Sequence, residues 1–215
     1  MKNLKEKINK ICIGTVKFAD PSYGHSSMQN APIDIFHFIK DIIDIGIRRF
    51  DTSPRYGQSE ALLGNIIKNE KINDLIISSK IDNLEPNDAN SEKKILDSVQ
   101  SSLKKLNIEY LDYCYLHQSN FGIISDKYIH DALFTLKQKG LVRKIGVSIY
   151  TFEECKYSIK SKVYDIIQLP INAIDSSIYN KLVKSNNSQV EFSARSILFQ
   201  GMIANRLNIK KALTN

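Results

Sequence analysis

The chain has 215 residues, of which 42% are hydrophobic and 25% are charged, and its formal net charge is +7 at pH 7. These fractions are typical of a folded globular chain and exclude a disordered or collagen-like one. The 30 lysines and arginines are scattered rather than gathered into a stripe interleaved with aromatic residues. We therefore expect a solvated basic surface and no nucleic-acid partner.

The cysteines and the first residues bear on the cellular compartment. The three cysteines form no CxxC pair, and Cys12 and Cys114 lie in apolar, strand-like runs where small core residues are expected. This usage is typical of a reducing compartment. The residues after Met1 contain no apolar signal region, and no window has 18 uninterrupted apolar residues. The sequence thus predicts a cytoplasmic protein without a membrane partner.

Seven short apolar runs recur along the chain at intervals of about 30 residues. They begin near residues 11, 48, 75, 111, 144, 164 and 190. Most are almost continuously hydrophobic, which is typical of parallel strands covered on both faces. The sequence therefore predicts seven strands of one parallel sheet.

Stretches with apolar residues at helical spacing separate these runs. Gly46 and Gly140 follow two of the stretches, as a glycine at the end of a helix does. Residues 151–154 have the pattern of a capping box, and Asn90 or Ser91 is expected to cap another helix. Strand and helix alternate without a linker or a change in composition, which predicts one α/β domain.

Two architectures fit this alternation, an open doubly wound sheet and a closed (β/α)8 barrel of the TIM type. No GxGxxG follows the first run and no GxxxxGK[ST] occurs, so a nucleotide-binding doubly wound sheet is not supported. The regular repeat favours the barrel. Eight units of about 30 residues need about 240 or more, so we expect seven of the eight strand–helix units.

Four polar residues lie where successive strands of such a barrel would end. Asp51 closes the second run, Lys80 follows the third and His117 closes the fourth, while Tyr56 lies five residues beyond Asp51. Each has a structural alternative: a helix cap, a solvated lysine, a rim histidine and a packed tyrosine. Because the loops after the strands build the active site of a barrel, the four together favour a catalytic site.

The same residues lie in segments that resemble the aldo-keto reductases. The resemblance rests on residues 46–64, GIRRFDTSPRYGQSEALLG, and on residues 140–148, GLVRKIGVS. Residues 13–18, IGTVKF, and 195–201, RSILFQG, are most similar to a bacterial branch often found beside sugar-nucleotide and polysaccharide genes. In all, the resemblance covers residues 11 to 201 in the correct order.

This resemblance implies an oxidoreductase that reduces an aldehyde or ketone, sugar-related carbonyls included, with NADP(H) or NAD(H) and without a metal. Asp51, Tyr56, Lys80 and His117 match the family's catalytic tetrad. A tyrosine has a usual pKa of about 10 and therefore holds a proton that it can donate at neutral pH. In the implied roles, Lys80 stabilises the phenolate, Asp51 holds Lys80, and His117 orients the substrate oxygen.

The resemblance also implies a set of cofactor-binding residues. Ser148 and Gln168 match residues that bind the nicotinamide carboxamide, and Arg195 stands where many members stack an aromatic ring on the nicotinamide. A guanidinium plane can stack as well. Local turn bonding remains an alternative for several of the residues. The full set is Thr15, Ser148, Gln168, Arg195, Ser196, Leu198 and Gln200.

The sequence departs from the family pattern after residue 201. Members of the family that it resembles continue with a helix, an eighth strand and a closing helix, and their eighth strand and its loop bind the adenosine ribose of the cofactor. We therefore expect residues 1–215 to form a single barrel-like domain that lacks the eighth strand and the closing helix, with open sheet edges through which the chain could self-associate. The alternative to an enzyme is a non-catalytic barrel that acts as a binding or scaffold protein, or one that needs a partner segment.

Overall fold

The computed structural model describes residues 2–20, 34–184 and 190–199, and within them it contains a seven-stranded sheet. The strands follow one another in the order β1 to β7, and each pairs in parallel with the next. They are β1 (Cys12–Gly14), β2 (Arg49–Asp51), β3 (Ile76–Ile81), β4 (Leu111–Leu116), β5 (Val142–Ser148), β6 (Ile166–Pro170) and β7 (Glu191–Arg195). This sequential order gives a curled half-barrel, which confirms the predicted fold class over a doubly wound sheet.

Helices connect the strands and cover the outer face of the sheet. They are α1 (Lys2–Ile8), α2 (Val16–Ala19), α3 (Ile35–Asp44), α4 (Ser59–Asn69), α5 (Ser91–Leu106), α6 (Phe121–Ile124), α7 (Lys127–Gln138), α8 (Phe152–Ser161) and α9 (Ser177–Lys184). No helix in these described ranges is both long and apolar enough to cross a membrane.

The helix termini follow the chemistry that the sequence predicts. Thr151 and Glu154 form a reciprocal capping box at the start of α8. Gly46 and Gly140 follow the ends of α3 and α7 with φ angles of 97° and 70°, a region that favours glycine. Asn90 occupies the N-cap position of α5, although its side chain makes no capping hydrogen bond.

Alternation along the strands separates the apolar core from the polar interior of the half-barrel. Ile77, Cys114, Val147 and Ile167 are fully or almost fully buried in the hydrophobic cluster that the helices share with the sheet. Their strand neighbours carry the polar side chains that face the other way, because successive side chains of a strand point to opposite faces. This second set contains the predicted catalytic residues of β2 and β3.

The prediction that Cys12 is a core residue is wrong, because its side chain is exposed, whereas Cys114 and Cys155 are buried. Cys12 lies on β1, which pairs with β2 alone among the described strands, so the side of β1 away from β2 is uncovered there. β7 likewise has one described neighbour, β6. Self-association through these two edges stays a prediction.

Candidate active site

One cavity of about 700 Å³ opens at the carboxyl ends of the strands. All four predicted catalytic residues line it, as do four of the predicted cofactor-binding residues. These eight residues are Asp51, Tyr56, Lys80, His117, Ser148, Gln168, Arg195 and Ser196. These residues lie on six strands, β2 to β7, or on the segments that follow them, as the strand-end rule of barrel proteins predicts.

Of the other three predicted cofactor-binding residues, the two that the structure describes do not line the cavity. Thr15 is buried, but it does not line the cavity, and its backbone carbonyl accepts a hydrogen bond from the hydroxyl of Ser59 at 2.8 Å. Leu198 is exposed outside the cavity. Gln200 lies outside the described residues.

Asp51 and Lys80 form an ion pair at the floor of the cavity. The Lys80 ammonium lies 2.7 Å from Oδ2 of Asp51 and donates a second hydrogen bond to the backbone carbonyl of Thr52 at 2.8 Å. The register of the sheet explains the contact, because Asp51 is level with Ser78 on β3 and Lys80 is two residues further on the same face. Ser78 holds the other carboxylate oxygen of Asp51 at 3.0 Å.

The environment of Lys80 keeps the side chain charged. Burial by itself would lower the pKa of this ammonium, but the Asp51 carboxylate and the hydrogen bonds with Asp51 and Tyr56 more than offset it, so the pKa is raised. The cavity therefore has a fixed positive charge at its floor.

Tyr56 lies against both this charge and His117. The Lys80 ammonium is 4.9 Å from the centroid of the Tyr56 ring, and the ring meets the His117 imidazole edge to face at 6.3 Å between centroids. Tyr56 belongs to the loop between β2 and α4, where its backbone N–H donates to the carbonyl of Ser53 at 3.0 Å. The turn places the phenol against residues of β3 and of the segment that follows β4.

His117 contacts Asp82, which in turn pairs with Arg55, and the sequence patterns select neither of these two charged residues. Its Nδ1 atom lies 3.1 Å from Oδ2 of Asp82, and the guanidinium of Arg55 lies 2.9 Å from the same oxygen. Asp82 directly follows β3, and the pairing of Ile81 with Leu116 places it beside His117. The position of Asp82 in the sequence, two residues after Lys80 and just beyond the end of β3, is the signal that could have identified it as a site residue.

The cavity disfavours the charged form of His117. Burial and the Lys80 ammonium lower the pKa of the imidazole, and Arg55 acts in the same direction. The carboxylates of Asp82 and Asp51 oppose them without overcoming them. The pKa of His117 is therefore lowered, with burial as the largest cause.

Arg195 organises the opposite wall of the cavity. Its guanidinium donates to the hydroxyl of Ser148 at 3.1 Å and to the backbone carbonyl of Ile149 at 3.0 Å, and it lies 4.2 Å from the centroid of the Tyr150 ring. A longer contact of 3.4 Å reaches the hydroxyl of Ser196. These bonds join β7 to the end of β5.

Gln168 lies in the same wall with an unused acceptor. It is level with Ser148 in the pairing of β5 and β6. Its Oε1 atom is buried and has no hydrogen-bond partner among the described residues. A buried amide oxygen without a partner is costly, which marks this atom as one that a ligand could satisfy.

A curled parallel sheet with titratable side chains gathered at its carboxyl edge is the arrangement of an α/β-barrel enzyme. Residues 10–213 match the model of the Aldo/keto reductase family, and the chain belongs to this family. It is 29% identical over 164 residues to methylglyoxal reductase DkgB of Salmonella typhi, which covers 74% of this chain and 58% of that protein.

Further relatives agree with this assignment. The chain is 30% identical over 172 residues to D-arabinose 1-dehydrogenase of Saccharomyces cerevisiae, covering 76% of this chain and 50% of that enzyme. It therefore spans about half to three-fifths of the length of these two relatives. The solved glycerol dehydrogenase of Gluconobacter oxydans has a TM-score of 0.69 at 24% identity, over 92% of this chain and 63% of its own, and supports the fold alone.

Proposed function

We propose that the chain reduces an aldehyde or ketone to an alcohol with NADPH or NADH, and that Tyr56 donates the proton. One observation carries the proposal. The Tyr56 ring contacts both the ammonium of Lys80 and the imidazole of His117, in a cavity where strand ends converge. A phenol beside a fixed cation is a proton donor whose anion is stabilised as it forms.

The roles of the four residues follow from their contacts. Tyr56 gives its proton to the substrate oxygen, and Lys80 stabilises the phenolate that remains. Asp51 keeps Lys80 charged and in place through the 2.7 Å ion pair. His117, which lies edge to face against the Tyr56 ring, orients the substrate oxygen. A bound nicotinamide would supply the hydride that the carbonyl carbon accepts.

The wall of Gln168, Ser148 and Arg195 fits a nicotinamide. The buried Oε1 of Gln168 lacks a partner among the described residues and would accept a hydrogen bond from a carboxamide N–H. Ser148 lies beside it in the sheet register and carries a hydroxyl that can bond the same group. Arg195 adds a planar cation that can stack on a ring. These three residues would hold the reacting end of the cofactor.

The names of the relatives suggest the substrate to test first. Methylglyoxal reductase and D-arabinose 1-dehydrogenase are named for a small dicarbonyl and for a sugar. The lining supports this choice, since it includes the aromatic ring of Tyr150 and several charged and hydroxyl side chains that can bind such polar molecules. We therefore propose a small aldehyde or sugar-related carbonyl as substrate.

The test combines cofactor binding with turnover on the full chain. NADPH and NADH are titrated by fluorescence, and oxidation of the bound cofactor is then followed by absorbance with methylglyoxal or an aldose added. We expect Tyr56→Phe to bind cofactor like the unmodified chain and to lose turnover by about 100-fold or more, the usual contribution of a general acid.

Two outcomes would overturn the proposal. Failure of the unmodified chain to bind either cofactor up to about 1 mM, the upper end of common KM values, would favour the non-catalytic binding role. Equal turnover by Tyr56→Phe and the unmodified chain would show that Tyr56 is not the proton donor.

A further inference from the structure

We propose that Asp82 is a positioning residue for His117, and that the Arg55–Asp82–His117 contact sets which form of the imidazole faces the substrate. This inference rests on the proposed function, since it concerns the group that orients the substrate oxygen. It predicts that the imidazolium form favours carbonyl reduction, whereas the neutral form favours binding of the alcohol.

The Asp82 carboxylate is held rigidly. Its side chain is 7% exposed, its Oδ1 atom accepts from the backbone N–H of Asn83 at 2.9 Å, and its Oδ2 atom contacts both Arg55 and His117. Two hydrogen bonds of 2.7 and 3.1 Å between Leu84 and the side chain of Gln118 tie the segments after β3 and β4 together. The carboxylate therefore stays beside the imidazole when the ring changes its protonation.

The Nδ1 atom of His117 has no aligned hydrogen bond among the described residues, although Oδ2 of Asp82 is 3.1 Å away. Contacts of catalytic groups are often misaligned before substrate binds and tighten in the complex. A carboxylate at this position favours a hydrogen on Nδ1, because a lone pair there would face a negative oxygen. Asp82 thus selects the Nδ1–H form.

The consequence for the opposite ring nitrogen follows from proton counting. A neutral imidazole carries one ring hydrogen. With that hydrogen on Nδ1, Nε2 has a lone pair and can accept a hydrogen bond from an alcohol O–H. The imidazolium carries hydrogens on both nitrogens, so it donates to Asp82 through Nδ1 and to a carbonyl oxygen through Nε2. His117 keeps both hydrogens during reduction, and the transferred proton comes from Tyr56.

The charges that face His117 come from several elements. Lys80 on β3 and Arg55 on the loop after β2 disfavour the imidazolium, while Asp51 on β2 and Asp82 after β3 favour it. The Tyr56 ring packs edge to face against the imidazole. Removing Asp82 and removing Arg55 should therefore move the titration of His117 in opposite directions, which a general loss of packing would not do.

The test reads the imidazole directly, without cofactor or turnover. NMR of the ring nitrogens in the full chain, with labelled histidine and His117→Gln for assignment, gives both the tautomer and the pKa. In the unmodified chain we expect the neutral imidazole of His117 to carry its hydrogen on Nδ1. Asp82→Asn should lower the pKa by about one unit and remove the Nδ1–H preference, and Arg55→Met should raise the pKa.

Several outcomes decide between the two proposals. An Nε2–H tautomer in the unmodified chain, or an unchanged tautomer and pKa in Asp82→Asn, would overturn the inference whatever the enzyme does. If Asp82→Asn fails to fold, a pKa in Arg55→Met that is unchanged or lowered would overturn the inference, because the Arg55 side chain is 63% exposed and its replacement should not disturb the core. Asp97→Asn, which removes an exposed carboxylate from α5, should change neither quantity.

The pH dependence of kcat/KM completes the test. For carbonyl reduction, kcat/KM should fall as the pH rises through the pKa of His117. In Asp82→Asn this fall should occur at lower pH, in parallel with the NMR titration. An NMR result as expected without any turnover would reject the proposed function and leave the tautomer assignment standing. If the pH at which kcat/KM falls stays the same while the NMR pKa of His117 changes, then the protonation of His117 does not affect the reaction.

Discussion

The Lys80 ammonium lies 2.7 Å from the Asp51 carboxylate, and the two side chains are 2% and 16% exposed. A cation this deeply buried needs a partner, because the loss of hydration is large. Asp51 and the Thr52 carbonyl supply the acceptors, and Tyr56 lies against the same nitrogen. The pair therefore serves the fold and the proposed chemistry together.

Asp51→Asn should lower the free energy of unfolding by on the order of 3 kcal/mol, as breaking a buried pair leaves an uncompensated charge. The amide keeps the shape of the side chain, so the loss reports on the charge rather than on packing. Urea denaturation with linear extrapolation measures the change.

Asp74→Asn is the matched control. Asp74 forms an ion pair of 2.8 Å with Arg48, but the two side chains are 67% and 31% exposed. A pair in contact with water contributes less than about 1 kcal/mol. Equal losses in Asp51→Asn and Asp74→Asn would show that burial does not strengthen the Asp51–Lys80 pair.

The strand order and the positions of Asp51, Lys80 and His117 could be predicted from the sequence, because both depend on local patterns. Apolar runs at regular intervals define parallel strands, and the residue that closes each run lies at the same edge of the sheet. Thr151 and Gly140 were predictable for the same reason, since helix termini depend on nearby residues.

Other features depend on contacts between residues distant in the chain. The contact of Asp82 with Arg55 needs the pairing of β3 with β4 and the path of the loop after β2, neither of which a single motif contains. The bond from Arg195 to Ser148 joins residues 47 positions apart. The apolar neighbours of Cys12 predict a buried side chain, yet its exposure depends on which strands flank β1.

Gln168→Met should weaken NADPH binding about tenfold, which corresponds to the loss of one hydrogen bond. The substitution keeps the length of the side chain and removes the buried oxygen that lacks a partner among the described residues. The free energy of unfolding should therefore stay the same or rise slightly, since an unsatisfied polar atom is removed. Fluorescence titration and urea denaturation measure the two quantities.

The exposed Gln138 on α7 supplies the control for this prediction. Gln138→Met should change neither NADPH affinity nor stability by a measurable amount. Unaltered NADPH affinity in Gln168→Met would mean that the carboxamide does not contact Oε1.

Arg195→Lys should weaken NADPH binding by about tenfold, because lysine cannot bond Ser148 and the Ile149 carbonyl while presenting a plane. Arg143→Lys is the matched control, since Arg143 also lies over a tyrosine ring, that of Tyr110, at 3.9 Å and contacts Asp112. Both variants lose an arginine–tyrosine stack. If Arg195→Lys and Arg143→Lys bind NADPH with the same affinity in titrations, then Arg195 does not contact the cofactor.

Gly64→Ala should destabilise the chain by about 3 kcal/mol, at the upper end of the cost of overpacking. A Cβ atom at Gly64 would lie 2.0 Å from the backbone carbonyl oxygen of Lys105 and 2.7 Å from the backbone of Leu106, so α4 and α5 would have to separate. Gly14→Ala is the comparison, because nothing lies within 4 Å of a Cβ atom there, and its cost should stay below about 1 kcal/mol. Thermal and urea unfolding of both variants tests the contact, and a Gly64→Ala chain as stable as Gly14→Ala would show that the two helices are not packed backbone to backbone.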